Sequence, residues 1–97
     1  MDTETKQQIA DFMSDFPGLS RVPSTFLTRL HQAKGRVVTK ESLCYAIEDV
    51  TGIPRSPEYL NSCARQVNKA LKEKGRVVAA YGVGYRLVWN NEEKSWI

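Results

Sequence analysis

Asn61, Ser62, Arg65, Gln66, Asn68, Lys69 and Lys72 fall in one stretch that contains no carboxylate between positions 61 and 72. At about 100° per residue, Leu60, Ala64, Val67 and Leu71 form one side of a helix. Asn61, Arg65, Asn68 and Lys72 line an adjoining stripe, and Ser62, Gln66 and Lys69 complete the face turned away from the apolar side. A helix exposed only to water more often carries Glu/Lys pairs four residues apart. Here the polar groups suit a different task. A guanidinium can pair with guanine, a carboxamide can pair with adenine, and lysines meet phosphates without reading sequence. The pattern predicts base or near-base contacts from Arg65, Gln66, Asn61 and Ser62. Phosphate contacts are expected from Asn68, Lys69 and Lys72, joined by Arg86 from further along the chain.

Other chemistry is poorly supported. Cys44 and Cys63 do not form a Cys-x-x-Cys pair, and His31 is the only histidine. Those three side chains fall short of the four N/S ligands of a structural zinc site, so no metal and no cofactor is expected. His31 has no Ser or Cys partner at an informative spacing, and no pair of carboxylates is placed for acid–base work, so no catalytic residue and no enzyme is expected. Gly82-Val83-Gly84 lacks the third glycine and the following helix of a phosphate-binding loop, and reads as a tight turn.

The chain has 97 residues, 14 Lys+Arg and 11 Asp+Glu, a net charge of +3, and 41% hydrophobic residues. That composition suits one small globular domain, neither disordered nor fibrous. No apolar run approaches the roughly 20 residues that cross a bilayer, and Met1 to Lys6 is polar without an apolar core for secretion. A cytoplasmic protein with no membrane association is expected. The small net charge conceals segregation. Residues 1–16 carry Asp2, Glu4, Asp11 and Asp15 against Lys6, whereas residues 17–40 carry Arg21, Arg29, Lys34, Arg36 and Lys40 with no acid. Acid then dominates residues 41–58, and base dominates 59–76 through Arg65, Lys69, Lys72, Lys74 and Arg76. Such blocks can assemble a basic face on a nearly balanced protein.

The elements that must position these groups follow from periodicity. Ile9, Phe12, Met13 and Phe16 mark a first amphipathic helix over 4–16, stopped by Pro17-Gly18. A second helix is expected over 23–34, capped by Ser24 or Ser20 and ended by Gly35 in a left-handed conformation. Arg36 to Val38 reads as a very short strand, and Thr39 as the N-cap of a third helix over 40–50. After a loop over 51–56, Ser56-Pro57 predicts the start of a fourth helix over 57–74, closed by Gly75. Residues 76–81 and 85–89 form a hairpin whose turn glycines supply positive φ. Lys34-Gly35-Arg36-Val37-Val38 recurs as Lys74-Gly75-Arg76-Val77-Val78, read as one local solution used twice: a glycine stop with a strand leaving it. The first strand would then pair with the later hairpin. The expected division is an acidic N-terminal helix over 1–19, a domain over 20–90 and a polar tail over 91–97.

This order of elements is that of a winged helix-turn-helix, and from Ser24 to Trp89 the chain resembles the DNA-binding effector domain of the OmpR/PhoB family of bacterial response regulators. Gly35-Arg36-Val37-Val38-Thr39-Lys40-Glu41-Ser42-Leu43 is similar to the stretch between that family's first two helices. Leu60, Ala64, Val67 and Leu71 match the apolar seam of its recognition helix. Gly82-Val83-Gly84-Tyr85-Arg86-Leu87 matches its wing signature. The resemblance implies an α+β, mainly helical fold, with a three-helix core and a C-terminal β-hairpin wing, here with an extra N-terminal helix in place of the family's receiver domain and small sheet. It implies double-stranded DNA as partner, with residues 57–74 in a major groove and 76–89 on the flanking backbone or minor groove. It also implies a small standalone transcriptional regulator in a bacterial or phage-infected cell. The loop over 51–56, with Ile53 and Arg55, corresponds to the family's approach to RNA polymerase. The alternative is a protein-interaction module binding polymerase or a host regulator, with DNA secondary or absent. In either case Ile9, Phe12 and Phe16 could pack on the domain, face a partner or join two copies.

Overall fold

The computed structural model describes residues 2–90, so the expected tail over 91–97 lies outside the described residues. The chain runs α1 (Thr3–Asp15), α2 (Arg21–Gln32), β1 (Val38–Thr39), α3 (Lys40–Thr51), α4 (Tyr59–Leu71), β2 (Gly75–Ala80) and β3 (Gly84–Trp89). The strands form one antiparallel sheet in the order β1-β3-β2. The fold is thus α+β and mainly helical. Among the described residues no helix is long and apolar enough to cross a membrane.

The core is built around α2, whose Phe26, Leu27 and Leu30 are fully buried. They share one cluster with Leu43 and Ile47 of α3, Leu60, Val67 and Leu71 of α4, and Leu87 of β3. Each such side chain contributes about 1.5–3 kcal/mol of transfer free energy, which is how a domain this small offsets its chain entropy. Thr39 caps α3 as its sequence position predicts, its Oγ1 accepting from the Ser42 N–H at 3.2 Å. The short strand also finds its expected partner, with Val38 opposite Tyr85 and Thr39 opposite Gly84. It occupies 38–39 rather than 36–38.

Several boundaries differ from expectation, each for a local reason. α2 begins at Arg21, so Ser24 lies inside the helix and Ser20 takes the N-cap position without a side-chain bond. Ser56-Pro57 does not open α4. Instead Ser56 and Pro57 carbonyls accept from the Tyr59 and Leu60 N–H groups in a turn, and the helix starts at Tyr59. α4 ends at Leu71 because Lys72 takes a positive φ of 54°, leaving Gly75 to begin β2. The two Lys-Gly-Arg-Val-Val copies are therefore different structures. In the first, Lys34 and Gly35 both have positive φ (53° and 89°). In the second the glycine is needed for space: a Cβ on Gly75 would lie 2.9 Å from the Trp89 ring and from the Val88 carbonyl oxygen. The hairpin glycines divide the same way. Gly82 supplies the positive φ (73°), whereas a Cβ on Gly84 would overlap the Val38 carbonyl.

α1 packs within the chain. Ile9 and Phe12 are buried, and the Phe12 ring meets His31 edge-on at 5.5 Å and Trp89 at 6.4 Å. Gln32 Nε2 donates to Thr5 Oγ1 at 2.9 Å. The apolar stripe that could have joined two copies is thus largely covered by α2 and β3 of its own chain.

Two stability predictions follow from this packing. Trp89 Nε1 donates to His31 Nδ1 at 3.3 Å, and burial holds the imidazole below its ordinary pKa of 6.5. The unfolded chain therefore takes up this proton first, and stability falls as pH drops below about 6.5. Thermal melts between about pH 7.5 and pH 5.5 should show that fall, and His31→Phe should flatten it. Ser24 Oγ is buried and has no hydrogen-bond partner among the described residues. Ser24→Ala removes an unsatisfied hydroxyl and should stabilise the domain by about 1 kcal/mol in urea titrations.

Candidate nucleic-acid interface

α4 is amphipathic in the sense its sequence requires. Leu60, Cys63, Val67 and Leu71 are buried along one edge. At 100° per residue Arg65 and Lys69 stand on the opposite edge, and both are exposed. Gln66 is exposed beside them and donates from Nε2 to Ser62 Oγ at 3.2 Å, one turn earlier on the same helix. Lys72, also exposed, sits just past the last helical residue, where the chain turns towards β2.

The two asparagines belong to the flank of α4 that holds the hairpin. Asn68 Oδ1 accepts from the Val77 N–H at 2.6 Å, and its Nδ2 donates to the Val77 carbonyl at 3.3 Å. Both ends of the amide are engaged by the backbone of an edge strand, so Asn68 clamps the hairpin to α4 while the residue itself remains exposed. Asn61 is also tied to the hairpin, its Oδ1 accepting from the Tyr85 hydroxyl. Tyr85 is buried, and desolvation raises the pKa of its phenol, which keeps it a donor at neutral pH. These roles could not be told from helical periodicity alone, since a flank that meets a strand's backbone needs polar groups just as a wet flank does.

Arg86 is placed differently from the helix cations. It lies on β3 opposite Val78, between the buried Tyr85 and Leu87. Alternation along the strand points it to the sheet face turned away from the core. The structure therefore groups Ser62, Arg65, Gln66 and Lys69 on α4 with Lys72 just past its end, ties Asn61 and Asn68 to the hairpin, and sets Arg86 on the outer side of the sheet.

Sequence reasoning missed what stands beside the end of α4. Gln66, Lys69, Ala70, Lys72 and Lys74 line a groove of about 1020 Å³ whose other wall is the turn from Asp15 to Gly18. Lys74 Nζ lies 5.5 Å above the Phe16 ring, a cation–π contact that joins the two walls. Asp15 and Glu73 put carboxylates into the same groove. The hairpin tip also carries apolar groups the sequence did not flag: Tyr81 is fully exposed and Val83 is 51% exposed.

In the loop before α4, Ile53 is exposed, while Arg55 is half-buried with its guanidinium carbon 4.5 Å above the Tyr59 ring. Gly52 closes α3 in the left-handed conformation at φ 74°. The thiol of Cys63 is pushed up to about 11 by burial, which makes it a packing group at neutral pH. Among the described residues no cluster of His, Cys, Asp and Glu could hold a metal ion.

Asn68→Ala should cost about 1–3 kcal/mol, because it leaves the Val77 backbone unsatisfied, whereas Lys69→Ala should stay within about 0.5 kcal/mol. Urea denaturation of the two variants separates the clamp from the open edge. Comparison of the chain with models of protein families, with curated proteins and with solved structures finds no match.

Proposed function

We propose that this chain is a winged helix-turn-helix domain that binds double-stranded DNA, with α4 in a major groove and the β2–β3 hairpin as the wing. The observation that carries the reading is the open edge of α4. Arg65 and Lys69 are exposed opposite the buried edge, and no carboxylate occurs between Tyr59 and Lys72. A helix docked in a major groove about 12 Å wide brings that edge against bases and phosphates, where a carboxylate would be repelled. The run α2, β1, α3, α4, β2, β3 and the strand order β1-β3-β2 are compatible with such a domain.

Within this reading the roles divide by geometry. Arg65 and Gln66 carry the side chains suited to base edges, with Ser62 beside them. Lys69 and Lys72 serve as phosphate contacts, and Asn61 is held at the start of the helix by Tyr85. Arg86 serves the flanking backbone from the wing. The chain would act as a small transcriptional regulator by occupying a site on the duplex.

A second reading has one observation in its favour. Ile53 is 52% exposed on the loop between α3 and α4, next to Arg55 stacked on Tyr59. That is a surface suited to a protein partner such as RNA polymerase or a host regulator.

Fluorescence anisotropy with a random duplex decides between them. The wild type should bind with an affinity that falls steeply with salt, at a slope of about −0.9 per neutralised phosphate. The double variant Lys69→Ala/Lys72→Ala should flatten that slope by about two, and Arg65→Glu/Lys69→Glu should abolish binding. Unchanged affinity in the charge-reversed protein would exclude this face of α4. An absence of wild-type binding would favour the loop and a protein partner.

A further inference from the structure

The reversal between β2 and β3 is rigid in its backbone and apolar in its side chains. Val83 N–H donates to the Ala80 carbonyl at 2.9 Å, which closes the turn on itself. The Val83 carbonyl accepts from Lys40 N–H at 3.2 Å, which clips the tip to the first residue of α3. β1 lies against Gly84 so closely that no side chain fits there. A tip held on both sides in this way would ordinarily carry polar residues. This one carries Tyr81, which is 101% exposed, and Val83 at 51%.

Its position relative to α4 is set by the Tyr85–Asn61 hydrogen bond, which ties the hairpin to the first turn of the helix. Tyr85 pairs with Ala79, and the strands run on from there to the tip. At about 3.3 Å per residue Tyr81 and Val83 stand roughly 7 Å beyond that tie. Cations lie near it: Lys40 on α3, and Arg86 two residues back along β3 from Gly84. A tyrosine orders only two side-chain torsions on binding, so a rigid backbone presents its ring at little entropic cost.

We infer that the hairpin tip is an apolar wedge for DNA. Tyr81, with Val83 beside it, enters the minor groove next to the α4 contact and inserts at a base step, partly unstacking it, while Lys40 and Arg86 hold the phosphates on either side. Side chains that wedge apart base steps kink the duplex, and pyrimidine–purine steps such as TA yield most readily. The chain therefore selects duplexes with a flexible step at a fixed distance from the α4 site, a preference that needs no hydrogen bond to a base. This inference rests on the DNA-binding reading and adds to it a sequence preference and a deformation.

The test uses the full chain and two duplexes that differ only in the flanking step, one carrying TA and one a stiff A-tract, each with 2-aminopurine at the step. The wild type should bind the TA duplex about five-fold more tightly and raise the 2-aminopurine signal there. Tyr81→Ala should lose both the preference and the signal while keeping the salt slope, and Tyr81→Phe should keep all three because the ring is what inserts. A wild type that binds both duplexes equally, or a Tyr81→Ala protein that retains the signal, overturns the wedge and leaves the α4 contact standing. A wild type that binds neither duplex overturns the DNA-binding reading and the wedge with it.

Discussion

The burial of Leu60, Cys63, Val67 and Leu71 along one edge of α4 is the constraint on which the rest of the architecture depends. It fixes the rotation of the helix about its own axis, and rotation decides what every other side chain on it can meet. Turned by one residue, Asn68 would leave the backbone of β2 and Arg65 would approach the core. With the apolar edge seated against α2, the two flanks and the open edge take different tasks. One flank holds the hairpin through Asn68 and Asn61, the other borders the groove beside the α1–α2 turn, and the edge between them carries Arg65 and Lys69, the lysine also lining that groove.

That division explains which parts of the molecule were legible beforehand. The apolar stripes of the four helices (apart from Met13 of α1, which is exposed), the Thr39 cap and the pairing of the short strand with the hairpin follow from spacing and residue type, because burial at a regular period leaves a regular trace. The two asparagines are exposed as their helical positions predict, but their ties to the hairpin were not legible, because a carboxamide suits a nucleobase, a phosphate or a strand's backbone equally well. Only the position of β2 decides, and that depends on contacts distant in sequence. The glycines show the same difficulty. Gly82 serves a backbone angle, whereas Gly75 and Gly84 serve clearance for a tryptophan and a neighbouring strand, and no single-sequence pattern separates the two uses. The start of α4 went astray through a local competitor: Ser56 and Pro57 favour a helix start in general, yet here their carbonyls close a turn ahead of it.

The acidic first helix matters to the candidate site without belonging to it. Phe12 seats α1 against His31 and Trp89, and this places Asp15 at the end of the helix across the groove from Lys69 and Lys72. Asp15 and Glu73 thus line the same groove as Lys69, Lys72 and Lys74. A more uniformly basic helix would bind phosphate anywhere along its length, since such contacts carry no sequence information. Opposed charge at one end narrows the region over which a polyanion is favoured.

Rigidity of the hairpin bears on the same question of position over strength. The hairpin is held to α4 towards its root by Asn68 and nearer the turn by Asn61, its tip is held to α3 by the Lys40–Val83 bond, and β1 is packed onto Gly84 without space for a side chain. If α4 enters a duplex as proposed, a loosely attached hairpin could follow any site the helix accepts and would add contact area without discrimination. One fixed at both ends presents its tip at a set distance from the helix. On the proposed DNA-binding reading, a duplex would then have to match the helix and the hairpin together, either by its resting shape or by deforming at a yielding step. On that reading the hydrogen bonds that hold the fold together are also the ones that would make α4 and the hairpin a single ruler.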